Sequence, residues 1–155
     1  MKKEGFTLVE LLGVIVLIAI LAGLAVVSVN HIINSGKKGL YMNYENTLEG
    51  ASRNAISDYI KASSKEIDDN QFLKSIKTEW ESKKVKLMYQ DLLDHKYIDA
   101  LKDPNGGDCS SSYVEITRNN DNDVNLDLDY KTCVICKDEN DNILYKTEYK
   151  DGFEC

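Results

Sequence analysis

The hydrophobic pattern divides the chain near Asn30. From Leu11 to Val29 only Ser28 is polar, an apolar run of about 19 residues that is close to the length an α-helix needs to cross a bilayer. Beyond Asn30 the pattern becomes amphipathic. Leu40, Tyr44, Leu48, Ala51, Ala55 and Tyr59 recur at spacings of three and four, which predicts a helix with one apolar face continuing from the first. The alternative is a separate helix after a flexible "NSGKKG" hinge. "SSKEIDDNQ" breaks the pattern, and Phe72, Ile76 and Trp80 suggest a further helical face. Val85, Met88 or Tyr89, Leu92, Leu93 and Tyr97 suggest one more helix, ending in a turn at Leu101–Gly107, where Pro104 is followed by two glycines. From Tyr113 the period becomes two. "YVEITR", "VNLDLDYKTCVIC" and "ILYKTEY" predict three strands joined by turns at "NNDND" and "KDENDN". The expected fold class is α+β, a long N-terminal helix packed on a small antiparallel meander.

Charge and cysteines refine this picture. The 155 residues suffice for one modest core, and a formal charge of −7 argues against sequence-independent nucleic-acid binding, which needs a basic face. Lys2 and Lys3 precede the apolar run, so the start is expected to stay cytoplasmic and the remainder to be exported. An exported head favours disulfides among its four cysteines. Cys133 and Cys136 lie three apart in one predicted strand, where they point to opposite faces and do not pair with each other. With Arg118 facing Val124 across the first hairpin, Cys109 falls opposite Cys133. The expected bridges are therefore Cys109–Cys133 and Cys136–Cys155, the second tying down the C-terminus.

Other chemistries find little support. A single C-x2-C is a weak zinc signal, and the Asp/Asn runs lack the Gly and Glu of a calcium loop, so no metal or other cofactor is expected. His31 and His95 have no nucleophile or orienting partner in any recognisable arrangement, which predicts a non-enzyme.

Glu10 is the awkward residue, a carboxylate at the mouth of the apolar run. A secretory signal peptide cleaved near Val26 and a plain membrane anchor both leave it unexplained. The stretch "GFTLVELL", Gly5 to Leu12, resembles the signal of the type IV pilin and pseudopilin family, a Gly followed by Phe-Thr-Leu-x-Glu and a long apolar helix. The resemblance implies cleavage between Gly5 and Phe6 by a prepilin peptidase, N-methylation at Phe6, and assembly guided by Glu10, which in the family pairs with the Phe6 amine of a neighbouring subunit. It further implies a leader over 1–5, a transmembrane and filament-core helix over 6–29, and an extracytoplasmic head over 30–155. The partners would be a homo-oligomeric or mixed filament and a membrane assembly platform. The chain would be a single-pass membrane precursor and then part of a cell-surface filament. Two departures stand out: Glu4 occupies a place where a basic residue is usual, and the apolar helix lacks the proline many pilins carry. "LKDPNG" also looks like a stretch of major pseudopilins, with Asn105 where their tryptophan stands. The alternatives are a pseudopilin of a secretion or DNA-uptake system and a non-polymerising anchored surface domain that binds a ligand.

Overall fold

The structure, a computed structural model, describes residues 7–120, 126–148 and 152–155, and the side chains of these except 24–28 and 30. Helix α1 spans Leu8–Lys61 and is unbroken through residues 34–39. The chain forms two units, residues 1–39 and residues 40–155.

In the first unit the large apolar side chains from Leu8 to Leu21 are 46–80% exposed, on all sides of the helix. Among the described residues no helix is long and apolar enough to cross a membrane. The segment expected to do so, Leu11–Val29, includes residues 24–28, whose side chains lie outside the described residues.

The second unit is a small α+β body. After α1 come α2 (Ser64–Asp69), α3 (Gln71–Trp80), β1 (Lys84–Met88), α4 (Tyr89–Asp94), β2 (Tyr113–Arg118), β3 (Leu128–Cys133), β4 (Ile135–Lys137) and β5 (Ile143–Lys146). Strands β1, β2 and β3 form one antiparallel sheet in that order, and β4 pairs with β5 in a second. The predicted face of α1 is the one that packs: Tyr44, Leu48, Ala51 and Ala55 are buried, with Leu48 and Ala55 fully so. Leu48, Ala51, Ala55 and Ile56 meet Phe72 and Ile76 of α3, Val85 of β1, and Val114 and Ile116 of β2 in the main core. Asn70 starts α3, its side chain accepting from the amides of Phe72 and Leu73.

Two expectations are corrected here. Residues 84–88 are not helical. Val85 and Leu87 are buried while Lys84 and Lys86 are exposed, the two-residue alternation of a strand, and β1 pairs along its whole length with β2. The second correction concerns "VNLDLDYKTCVIC", which is not one strand. It breaks at Val134, fully buried, whose amide donates to the Thr147 hydroxyl at 2.9 Å and whose carbonyl accepts from the Thr147 amide. Buried Ser112 holds the next residue, accepting from the Ile135 amide at 2.9 Å. The chain thereby leaves the first sheet after β3 and enters the second as β4.

Candidate functional site

The N-terminal site is built on the start of α1. Thr7 is its capping residue: the Glu10 amide donates to Thr7 Oγ1 at 3.3 Å, and Glu10 Oε2 accepts from both the Thr7 amide at 3.0 Å and the Thr7 hydroxyl at 2.9 Å. The Leu11 amide donates to the Thr7 carbonyl at 3.2 Å and opens the helical ladder. This is a capping box, in which otherwise orphaned amides at a helix start are satisfied reciprocally. The Glu10 carboxylate is exposed and folded back over the helix start, where the helix dipole also favours a negative charge. Gly5 and Phe6, the residues of the expected cleavage and methylation, lie outside the described residues. The expected role of Glu10 lies in assembly, and the capping role of Thr7 is additional to it. The signal was present, since "TLVE" ahead of an apolar run is the T-x-x-E pattern of a capped helix.

The helix that follows has an unusual surface for a described, solvent-facing element. A helix apolar on every side is stable only where lipid or other protein surrounds it, and an exposed apolar area of this extent marks an interaction surface. Chemically, residues 8–21 offer an apolar surface that carries, among the described residues, one carboxylate, Glu10.

The head places the four cysteines differently from expectation. The bridges are Cys109–Cys136, with Cα atoms 4.0 Å apart, and Cys133–Cys155, at 5.3 Å. The expected pairs Cys109–Cys133 and Cys136–Cys155 are therefore corrected. The cause is register. Arg118 faces Leu128, not Val124 (itself outside the described residues), and the Asn119 amide donates to the Asp127 carbonyl. The longer hairpin puts Tyr113 opposite Cys133 and leaves Asp108 bridged to Lys137, so Cys109 arrives beside Cys136. The break at Val134 also lets Cys133 and Cys136 both turn inward; each is fully buried.

A second feature that sequence reasoning missed is the clamp holding the loop 101–107 to α1. Asp103, buried, accepts from the Tyr41 hydroxyl at 2.6 Å, the Asn105 amide at 3.1 Å and the Gly107 amide at 3.2 Å. Tyr44 donates to the Lys102 carbonyl beside it. Tyr41 in turn stacks on Tyr145 of β5 at 3.9 Å, and the Tyr145 hydroxyl and Thr147 Oγ1 both donate to Glu45 of α1. Burial, then the hydrogen bond to Asp103, pushes the Tyr41 hydroxyl up to about 12. "DPNGG" predicted the turn, but not that its aspartate is the buried end of a tyrosine network.

His95 stacks on Phe72 at 4.4 Å, with Nδ1 at 2.8 Å from the Asp91 carbonyl, and His31 is exposed. All four cysteines are disulfide-bonded, and among the described residues no group of three or more His, Cys, Asp or Glu side chains is placed to hold a metal ion.

The fold and site define a class first: an α+β protein with a capped helix, Leu8–Lys61, whose apolar side chains from Leu8 to Leu21 are unburied, and a head with two disulfides. Comparison with known proteins then identifies the N-terminus. Residues 1–26 match the prokaryotic N-terminal methylation motif, which is the type IV prepilin signal. The match supports a precursor of the type IV pilin-like or pseudopilin kind. In general such a signal implies processing by a prepilin peptidase and assembly into a filament. No curated protein and no solved structure matches the chain.

Proposed function

We propose that the chain is the precursor of a structural subunit of a type IV pilus or pilus-like filament. The observation that carries this reading is the coincidence of the methylation motif over 1–26 with a helix whose described apolar side chains, from Leu8 onward, find no cover within their own unit. The apolar run Leu11–Val29, about 28 Å long at helical rise, holds the precursor in the membrane. A prepilin peptidase cuts between Gly5 and Phe6 and the new amine of Phe6 is methylated. Subunits then leave the lipid by packing these helices together. Glu10 meets the Phe6 amine of a neighbour, because a carboxylate among apolar helices is tolerated when an opposite charge reaches it in a low-dielectric surrounding. Such a pair also sets register along surfaces that are otherwise featureless. Two disulfides in the head suit a filament exposed outside the cell.

The test is the mass of the N-terminal peptide of protein taken from its native host. A peptide that begins at Phe6 with one added methyl group is the expected result. An intact Met1, or a start near Val26, would overturn the reading. A pair of variants separates the two roles open to Glu10. Gln also completes a capping box but has no charge. Glu10→Gln is therefore expected to leave the helix start and membrane retention intact while abolishing incorporation into filaments, scored by immunoblot of sheared and cell-bound fractions. Normal incorporation of both Glu10→Gln and Glu10→Ala would remove the charge pair from the mechanism.

A further inference from the structure

The two disulfides cross: Cys109 passes over Cys133 to reach Cys136, and Cys133 is left for Cys155. We propose that the head is a substrate of a thiol–disulfide isomerase, because its crossed native pairing is selected neither by the order of its cysteines along the chain nor by loop length. The proposal rests on the export of the head in the reading above.

A chain exported behind its N-terminal helix presents Cys109 first, then Cys133 and Cys136 almost together, and Cys155 last. Closing Cys109 onto Cys133 makes a loop three residues shorter than closing it onto Cys136, so loop entropy does not select the native partner. Selection comes from folded structure. Cys136 sits in β4, and β4 is held by β5, with Cys136 facing Tyr145 and Tyr145 stacked on Tyr41. Residues 143–147 follow both candidate partners in the chain, so a bond that forms before β5 pairs with β4 has nothing to tell those partners apart. The local alternative, Cys133 with Cys136, is equally non-native. Cys109, Cys133 and Cys136 are all at most 2% exposed in the finished head, so exchange has to run before the core closes. Uncatalysed rearrangement takes minutes to hours.

The exchange is redox-neutral. Starting from Cys109–Cys133 and Cys136–Cys155, the isomerase thiolate attacks Cys133 Sγ, forming a mixed disulfide and releasing the Cys109 thiolate. Cys109 attacks Cys136 Sγ and releases the Cys155 thiolate. Cys155 attacks Cys133 Sγ, closing the second native bond and returning the isomerase thiolate. Two disulfides enter and two leave.

The experiment uses the full chain in detergent, reduced and unfolded, then oxidised on removal of denaturant by oxygen with a copper catalyst. Bonds are mapped by mass spectrometry of unreduced peptides. The expected product is a mixture containing Cys109–Cys133 or Cys133–Cys136. It should convert to the native pairs on adding reduced and oxidised glutathione, and at least about tenfold faster with added protein disulfide isomerase. The Cys133→Ser/Cys155→Ser double variant should form Cys109–Cys136 with oxygen alone. Native pairing of the unsubstituted chain by oxygen alone would overturn the proposal, as would a double variant that still needs glutathione. Four free thiols in protein taken from the host would instead overturn export, and with it the need for an isomerase in the cell, whatever the exchange experiment gives.

Discussion

Asp103 accepts from three donors at once, and its surroundings make the head sensitive to alkali. Tyr41 and Tyr97 are both pushed up to about 12, chiefly by burial and then by hydrogen bonds to Asp103 and Asp58, and burial beside Glu45 raises Tyr145 as well. These hydroxyls keep their protons in the folded head where the unfolded chain would lose them near its ordinary value of about 10. The contribution of Tyr41 and Tyr97 to stability is therefore complete below about pH 10 and is lost as pH rises from there to about 12. The tyrosinate absorbance of Tyr41 and Tyr97 should accordingly rise in step with loss of circular dichroism. Titration of these two near the ordinary value, ahead of unfolding, would contradict it. In Asp103→Asn an amide N–H replaces one acceptor, so one of the three donors is left facing a donor. A loss of about 1–3 kcal/mol in urea unfolding is expected. Gly107 lies against the same carboxylate for a steric reason. A Cβ there would stand 2.5 Å from Asp103 Oδ2 and 2.6 Å from the Lys137 carbonyl, which as backbone cannot step aside. Gly107→Ala should cost a similar ~1–3 kcal/mol by overpacking.

The elements show where periodicity was sufficient evidence and where it was not. The apolar face of α1 was legible because six positions at helical spacing outvote Gly50, and the body of the head builds on it. Leu48, fully buried at the centre of that face, is expected to cost about 2–5 kcal/mol when replaced by Ala. Equilibrium unfolding in urea measures the difference, and a loss below 1 kcal/mol would mean the face is not packed. The spacing of Val85, Met88, Leu92 and Leu93 at three and four predicts a helix where β1 forms. Its strand state comes from pairing with β2, a partner about thirty residues away that no local window contains. At the other end of the chain Thr7 matters to α1 through one hydroxyl. Thr7→Val keeps the shape and removes the cap, and should lower the helicity of a peptide covering residues 6–34 in micelles, whereas Thr7→Ser should not.

For the molecule as a whole, the disulfides tie together parts that sequence distance keeps apart. Cys109–Cys136 links the loop before β2 to the second sheet, and Cys133–Cys155 holds the C-terminal residues beside β3, where Phe153 meets Tyr113 edge-on. Removing the second bridge with Cys133→Ser/Cys155→Ser is expected to cost about 2–4 kcal/mol in thermal unfolding of the detergent-solubilised chain. The N-terminal unit obeys a different rule. Its apolar surface gains nothing from its own fold, so its stability belongs to whatever surrounds it.

The sequence by itself determined the α+β class, the capped start of the helix, the apolar run behind the prepilin signal and the face of α1 that packs. Each of these is set by residues within a few turns of one another, where period, cap and charge act locally. Only the tertiary structure decided that residues 84–88 are a strand, that the chain turns at Val134 from one sheet into another, and that Cys109 meets Cys136. The first depends on pairing with β2, the second on the bonds of Val134 to Thr147, and the third on the register of a hairpin closed at Asn119 and Asp127. A shift of four residues in that register exchanges the partner of every cysteine, and nothing within the strands themselves records which register the packed core will favour.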